Sequence, residues 1–254
     1  MVIQNLNERE REILEILMDN RANSVAEISK LLAVSSVTVR NNLNSLADKG
    51  VVVRTWGGAA PAFHPEIMAR QRQMTEAKAR IARAAAALVR DGDTLMIEAG
   101  TTTALIARYL FGKRDLFIVS NSNLVVPYTR ANPALRLTLV GGEFRPSSES
   151  TVGPVALEQL ERFHVRLAFV GTDGFSRENG LTTHLVEGAE IVKKMAAQAE
   201  QVVLTADSSK YGKSGFVRVL PLERMNRIIT DEGLDLSIQD ELRSQGLDVE
   251  IAKA

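Results

Sequence analysis

Thr38, Arg40, Asn41 and Asn44 lie in the stretch SVTVRNNLNSL, residues 36–46, and turn away from Val39, Leu43 and Leu46 if the segment is a helix. A face that is only solvated usually carries Glu and Lys, which form helix well and stay in water. Here it carries amide, hydroxyl and guanidinium groups. Arg can place two hydrogen bonds on guanine and Asn two on adenine, so the residue types suit direct reading of base edges. Ser36 adds a hydroxyl and Ser35 is placed to cap the helix. The alternative is a three-helix protein-interaction module, favoured by the seven basic and seven acidic residues of positions 1–60, a poor balance for attracting phosphate.

A second set of polar residues follows apolar runs directly: GTTT at 100–103, SNS at 120–122, GG at 141–142, GTDG at 171–174 and DSSK at 207–210. Gly100 permits close backbone approach, and Thr101, Thr102 and Thr103 open a helix whose free N–H groups suit an anion. Lys210 adds a cation, Ser120, Asn121 and Ser122 add donors, and Gly141 and Gly142 add a tight turn. Glu98 and Asp173 can accept hydrogen bonds from hydroxyls, so together these groups describe a pocket for a small phosphorylated sugar or sugar alcohol. Turn and cap chemistry explains any one loop; five on one edge need more.

The elements that must position these residues are legible in outline. Ile13, Ile16 and Leu17 mark a first helix, the SVAE of residues 24–27 is a capping-box match opening a second, and 36–46 is the third. After Gly50, VVVRTWGGAA reads as a strand, a turn at Gly57 and Gly58, and a return. That is a winged helix-turn-helix over residues 1–60. Residues 61–74 read as a linker, and a helix is expected over about 75–90. From 93 onward the runs TLMIEA, LFIVS, LRLTLV, RLAFV, QVVLTA and RIIT alternate with helical stretches, which predicts a mostly parallel sheet covered on both faces, an α/β domain over 75–254. Loops after parallel strands share one edge of the sheet, where open α/β sheets bind ligands.

Composition narrows the function classes. The chain has 254 residues, 45% hydrophobic, with 31 basic and 31 acidic side chains and no cysteine. Disulfides, thiolate catalysis and cysteine-ligated zinc are excluded, and His64, His164 and His184 lack metal-ligand spacing, so neither metal nor cofactor is expected. The GKS in YGKSG lacks the earlier glycine of a phosphate-binding loop, and no GxGxxG follows a strand. With no run of about 18 apolar residues and no signal-peptide segment, a cytoplasmic location and no membrane contact are expected.

The segment VSSVTVRNNLNSLADKGVVVRTWGGA resembles the N-terminal signature of DeoR-type bacterial transcriptional repressors. IEAGTTTALIARYL, VSNSNL, VGGEFR, GTDG and ADSSKYG are similar to the successive blocks of that family's effector domain, in order from about residue 6 to 232. The resemblance implies a repressor of a sugar or sugar-alcohol utilisation operon that binds double-stranded operator DNA and is controlled by a phosphorylated sugar. It also implies a sugar-phosphate-isomerase-like effector domain and a homodimer or homotetramer, which a single head with this little charge would need in any case. The chain departs from the family pattern at Asn41 and Asn42, where a second Arg and then an Asp are common, and at Glu98, where Asp is usual. Arg54, Thr55 and Trp56 in the wing are expected to compensate by gripping the DNA backbone or minor groove, with packing against the third helix as the other, preferred reading for Trp56. His184 and Glu187 fall in a stretch that the family places near the pocket, with an exposed loop His and a capping Glu as the other readings. The competing class is an enzyme, a phosphosugar isomerase using Glu98 or Asp173 as base.

Overall fold

The computed structural model describes residues 6–20 and 23–253, which form two compact units dividing between Gln73 and Met74.

The first unit opens with α1 (Glu8–Asp19), α2 (Val25–Leu31) and α3 (Ser36–Asp48), followed by β1 (Val52–Thr55), β2 (Gly58–Pro61) and α4 (Pro65–Arg72). Each of the first three helices starts where a side chain satisfies the free N–H groups of its first turn. Asn7 and Glu10 cap α1 reciprocally, Ser24 and Glu27 do the same for α2, and the Thr38 N–H donates to Ser35 Oγ at 3.1 Å to start α3. Ile13, Leu14, Leu17, Ile28, Val39, Leu43 and Leu46 are fully buried as one core, joined by Met68 from α4. The stretch expected to be a linker therefore carries a helix, and the hairpin turn falls at Trp56 and Gly57, with Gly58 already in β2 and paired with Thr55.

The second unit runs α5 (Thr75–Ala87), β3 (Thr94–Ile97), α6 (Thr103–Tyr109), β4 (Leu116–Ser120), α7 (Val126–Arg130), β5 (Leu135–Leu139), β6 (Glu143–Arg145), β7 (Ser150–Val152) and α8 (Pro154–Leu160). It continues with β8 (Val165–Val170), β9 (Gly174–Ser176), β10 (Gly180–Thr183), α9 (Val186–Ala197), β11 (Ala199–Thr205), β12 (Val217–Leu220), β13 (Arg227–Asp231), α10 (Leu236–Ser244) and β14 (Val249–Ala252). Seven strands form one sheet in the order β14-β13-β11-β8-β3-β4-β5, every neighbouring pair parallel. All six expected strands are among them, with β14 in addition at one edge. Alternate residues are buried on both faces: Met96, Ala168, Val170, Val202 and Leu204 pack with residues of α8 or α9, while Leu95, Ile97, Leu167 and Phe169 are equally buried on the other side. That pattern requires helices on both faces.

The sheet grows outward in opposite directions from the β3–β8 pair, which is its topological switch point. Asp93 and Arg166 hold the amino ends of these two strands. Arg166 Nε donates to Asp93 Oδ1 at 2.7 Å, an Nη2–Oδ2 bond completes a bidentate pair, and the same Nη2 donates to Leu88 O at 2.8 Å. Burial works against the Asp93 charge, but Arg166 and the Arg90 N–H outweigh it and hold the carboxyl below its ordinary range. Asp93→Asn leaves Arg166 partly buried and unpaired, and is expected to destabilise the α/β unit by about 3 kcal/mol near neutral pH. Because the folded-state pKa is depressed, this stabilisation is complete above the unfolded value near pH 4 and is lost as pH falls through the folded one. Denaturant melts of parent and variant should therefore converge in acid; a gap independent of pH contradicts the assignment.

Candidate functional sites

On α3, Arg40, Asn41 and Asn44 are exposed, and their side chains make no hydrogen bond or ion pair among the described residues. Their groups are uncommitted. Ser35 and Thr38 are instead bonded to each other through their hydroxyls (2.9 Å) and define the start of the helix, and Ser36 is half-buried. Asn42, one of the departures from the family pattern, donates to Thr38 O at 2.9 Å and stays on the helix backbone. Val37 is 62% exposed and shares a face with Arg40, Asn41 and Asn44, at helical spacing i, i+3, i+4 and i+7. A sequence reading that counts apolar residues toward the core passes over it, although the inward set Val39, Leu43 and Leu46 places it outside. Arg54 and Thr55 are exposed on β1. Trp56 does not pack against α3 as expected: it is fully exposed at the hairpin turn.

The orientation of α3 rests on a buried carboxylate. Glu10 of α1, completely buried, accepts from Ser45 Oγ (2.6 Å) and from Lys49 Nζ at both oxygens (2.7 Å each), and from the Asn7 N–H. Burial opposes its charge, yet the bonds from Lys49, Ser45 and Asn7 prevail and lower its pKa.

In the α/β unit, the five loops do lie on one edge, at the carboxyl ends of β3, β4, β5, β8 and β11, and those after β3, β4 and β8 are bonded to one another. Gly171 N–H donates to Glu98 Oε2 at 3.1 Å, and Glu98 N–H to Phe169 O, so the β3 and β8 loops meet across the switch point. Asn121 accepts from the Ala99 N–H (3.0 Å) and donates to Thr151 O (3.1 Å), while Ser120 Oγ donates to Ile97 O at 2.6 Å. Thr103 Oγ1 donates to Gly100 O, and a Cβ at Gly100 would lie 2.8 Å from that hydroxyl, which explains the glycine. Thus Ser120 and Asn121, expected from sequence to be ligand donors, brace the loops with their side chains, as Thr103 does. Ser122 Oγ is buried with no partner, Thr102 is buried, and Thr101 is half-buried beside the first turn of α6.

Asp173 accepts from Thr183 Oγ1 (2.9 Å) and from the backbone N–H of His184 (3.0 Å), whose ring is exposed. The segment containing Lys210 is attached to the same region through Gly212 N–H to Phe175 O and Gly215 N–H to Thr182 Oγ1. Lys210 itself is half-buried and has no ion pair among the described residues. Gly141 N–H donates to Gln159, and Gly142 turns the chain at a φ of 141° into β6. There Arg145, which the sequence reading did not single out, pairs with Glu187 at 2.5 Å in the first turn of α9; the Glu187 N–H and Arg145 hold that carboxyl below its usual range. A groove of about 540 Å³ on the opposite, amino edge is lined by Arg90, Arg166 and Arg227 among others, but Arg166 is bound to Asp93 and Arg227 to Asp248 and Glu250. Among the described residues no group of three His, Asp or Glu is placed to hold a metal, and no helix is long and apolar enough to cross a membrane.

Comparison with known proteins follows this division. Residues 9–62 match the DeoR-like helix-turn-helix domain and residues 73–232 the DeoR C terminal sensor domain. The HTH-type transcriptional regulator GlpR of Haloferax volcanii is 34% identical over 247 residues, 95% of this chain and 96% of that protein. The HTH-type transcriptional repressor GlcR of Bacillus subtilis is 31% identical over 246 residues, 95% of each. Among solved structures, ribose 5-phosphate isomerase A from Methanocaldococcus jannaschii overlaps 54% of each chain at 20% identity and a TM-score of 0.40.

The Glu10 tether yields a test for the first unit. Glu10→Gln is expected to cost about 1–3 kcal/mol, because Lys49 and Ser45 lose a charged acceptor. The cost is complete above the ordinary carboxylate range and shrinks as pH falls through the lowered value. Amide exchange of α1 and α3 should accelerate at pH 7; unchanged exchange there contradicts the tether.

Proposed function

The chain belongs to the DeoR family of transcriptional regulators, and from that premise we propose that it represses an operon for the use of a sugar or sugar alcohol under the control of a phosphorylated sugar. The family is one of regulators, so the competing isomerase reading drops out. In this reading α3 lies in the major groove, with Arg40 and Asn44 on base edges, Asn41 beside them and Val37 against a thymine methyl. Ser35, Ser36 and Thr38 set the start of the helix next to the phosphates, and Arg54 and Thr55 hold the backbone. The head carries little net charge, so two or more heads in a homodimer or homotetramer act together in the cytoplasm.

The effector is proposed to bind at the carboxyl edge, over the switch point. Its phosphate meets the N–H groups at Thr101, Thr102 and Thr103 and the Lys210 ammonium, while Glu98, Asp173 and Ser122 face its hydroxyls. Gly100, Gly141 and Gly142 allow close approach, and Ser120 and Asn121 hold the loops in place. The observation that supports this most is the Glu98–Gly171 bond, because it joins two of the polar loops at the crevice where open α/β sheets take their ligands. Ligand binding changes DNA affinity to the extent that it prefers one arrangement of the protein over another.

Two variants test the two sites separately. Arg40→Ala is expected to weaken binding to a duplex selected by the wild-type protein from a random pool by about 1–3 kcal/mol, or to lower the salt slope by about one. No change in either quantity contradicts the role of α3. Lys210→Ala is expected to keep duplex affinity and lose the response to whichever compound of a sugar-phosphate panel shifts the wild-type protein. Calorimetry showing that compound bound with undiminished affinity contradicts the anion site.

A further inference from the structure

The single tryptophan of the chain stands at the tip of the β1–β2 hairpin, fully exposed. An indole left entirely in water is unusual, because its large apolar surface gains more than most from any contact. The hairpin that presents it is firmly attached. The Val25 N–H donates to Gly57 O at 3.0 Å, Ser24 pairs with Gly58, and the Val51 N–H donates to Leu46 O at 2.9 Å, so the turn is fixed both to the start of α2 and to the end of α3. A Cβ at Gly58 would come within 3.0 Å of Asn23 O, so the glycine lets the turn press against that helix start. Gly57 takes the left-handed conformation that the turn requires, at a φ of 83°.

What surrounds Trp56 narrows the partner. Arg54 and Thr55 are exposed next to it, and Arg54 makes no ion pair among the described residues. A rigid aromatic plate beside an unpaired guanidinium fits a surface that sets anionic phosphates beside apolar deoxyribose walls at close range, as the minor groove of a duplex does. The place on the chain points the same way: β1 begins shortly after α3 ends, so the tip belongs to the unit that carries Arg40, Asn41 and Asn44. We propose that Trp56 is a DNA-contacting residue that enters the minor groove beside the major-groove segment read by α3, with Arg54 on the flanking phosphate. This rests on the reading of α3 as the base-reading helix. The contact adds affinity with little sequence preference beyond that of groove width, since every step offers an apolar surface to an indole.

Because no other tryptophan is present, emission from the full-length protein reports on this position alone. The probe is a duplex selected by the wild-type protein from a random pool. Adding it should change the emission and reduce acrylamide quenching several-fold. Trp56→Ala should melt at the wild-type temperature and bind the same duplex about tenfold more weakly with an unaltered salt slope, and Trp56→Phe should recover part of the loss. In dimethyl sulfate footprints, the alanine variant should lose protection of adenine N3 in the minor groove while keeping protection of guanine N7 in the major groove. Unchanged emission and quencher access on a duplex that the wild-type protein does select overturns the Trp56 contact and leaves the role of α3 standing. If the wild-type protein selects no duplex at all, the reading beneath it falls as well.

Discussion

The α/β unit depends on how two central strands, 73 residues apart in sequence at Asp93 and Arg166, are held in register at both ends. At the amino ends the bidentate Asp93–Arg166 pair ties β3 to β8, with the Leu88 carbonyl drawn in from the end of α5. At the carboxyl ends the Glu98 carboxylate accepts the Gly171 N–H. Between them Leu95, Met96 and Ile97 face Leu167, Ala168 and Phe169, all fully buried. A slip of one residue would exchange the two faces of each strand and break both end contacts together. The sheet is built outward from this pair in both directions, so the loops that gather at its carboxyl edge inherit their positions from it.

The DNA-binding unit solves a similar problem with fewer residues. Its third helix keeps several polar side chains uncommitted while the helix itself stays fixed, and these demands fall on different faces. Val39, Leu43 and Leu46 anchor one side, Ser35 and Thr38 close the start, and Ser45 and Lys49 reach Glu10 near the end. Polar groups that hold the fold thus meet local or buried partners, and Arg40, Asn41 and Asn44 on the opposite face make no bond among the described residues. The same separation recurs in the loops at the carboxyl edge of the sheet, where Ser120, Asn121 and Thr103 brace the backbone and Lys210 does not.

Much of this was legible in sequence, and what was not has identifiable causes. The caps at Ser24 and Ser35 were readable because they depend on residues three apart. The central strands were readable because a strand buried on both faces is a continuous apolar run. β14 escaped because an edge strand of four residues, VEIA, alternates a charged residue with apolar ones. The small strands β6, β7, β9, β10 and β12 are three or four residues each, too short to show an alternating pattern, and β12 owes its existence to a distant partner, Arg218 pairing with Thr182 of β10. In the site, residue types indicated the loops, while the roles of Ser120 and Asn121 depend on Ile97, Ala99 and Thr151, 22 to 30 residues away. Trp56 leaves a packed and a DNA-facing position both open in sequence for a related reason: its side chain type favours burial, and the bonding of Gly57 and Gly58 to the start of α2 turns it outward.

Binding of a phosphorylated sugar over the β3–β8 switch point, with its effect on DNA affinity, is open to hydrogen–deuterium exchange. The full-length protein is compared with and without the sugar phosphate that shifts its affinity for DNA. A ligand at the carboxyl edge slows exchange in the segments 98–104, 120–123 and 171–174, and around Lys210, and leaves the amino edge unchanged. Protection at the amino-edge groove near Arg90 and Arg227, with no change in the carboxyl-edge loops, would contradict it.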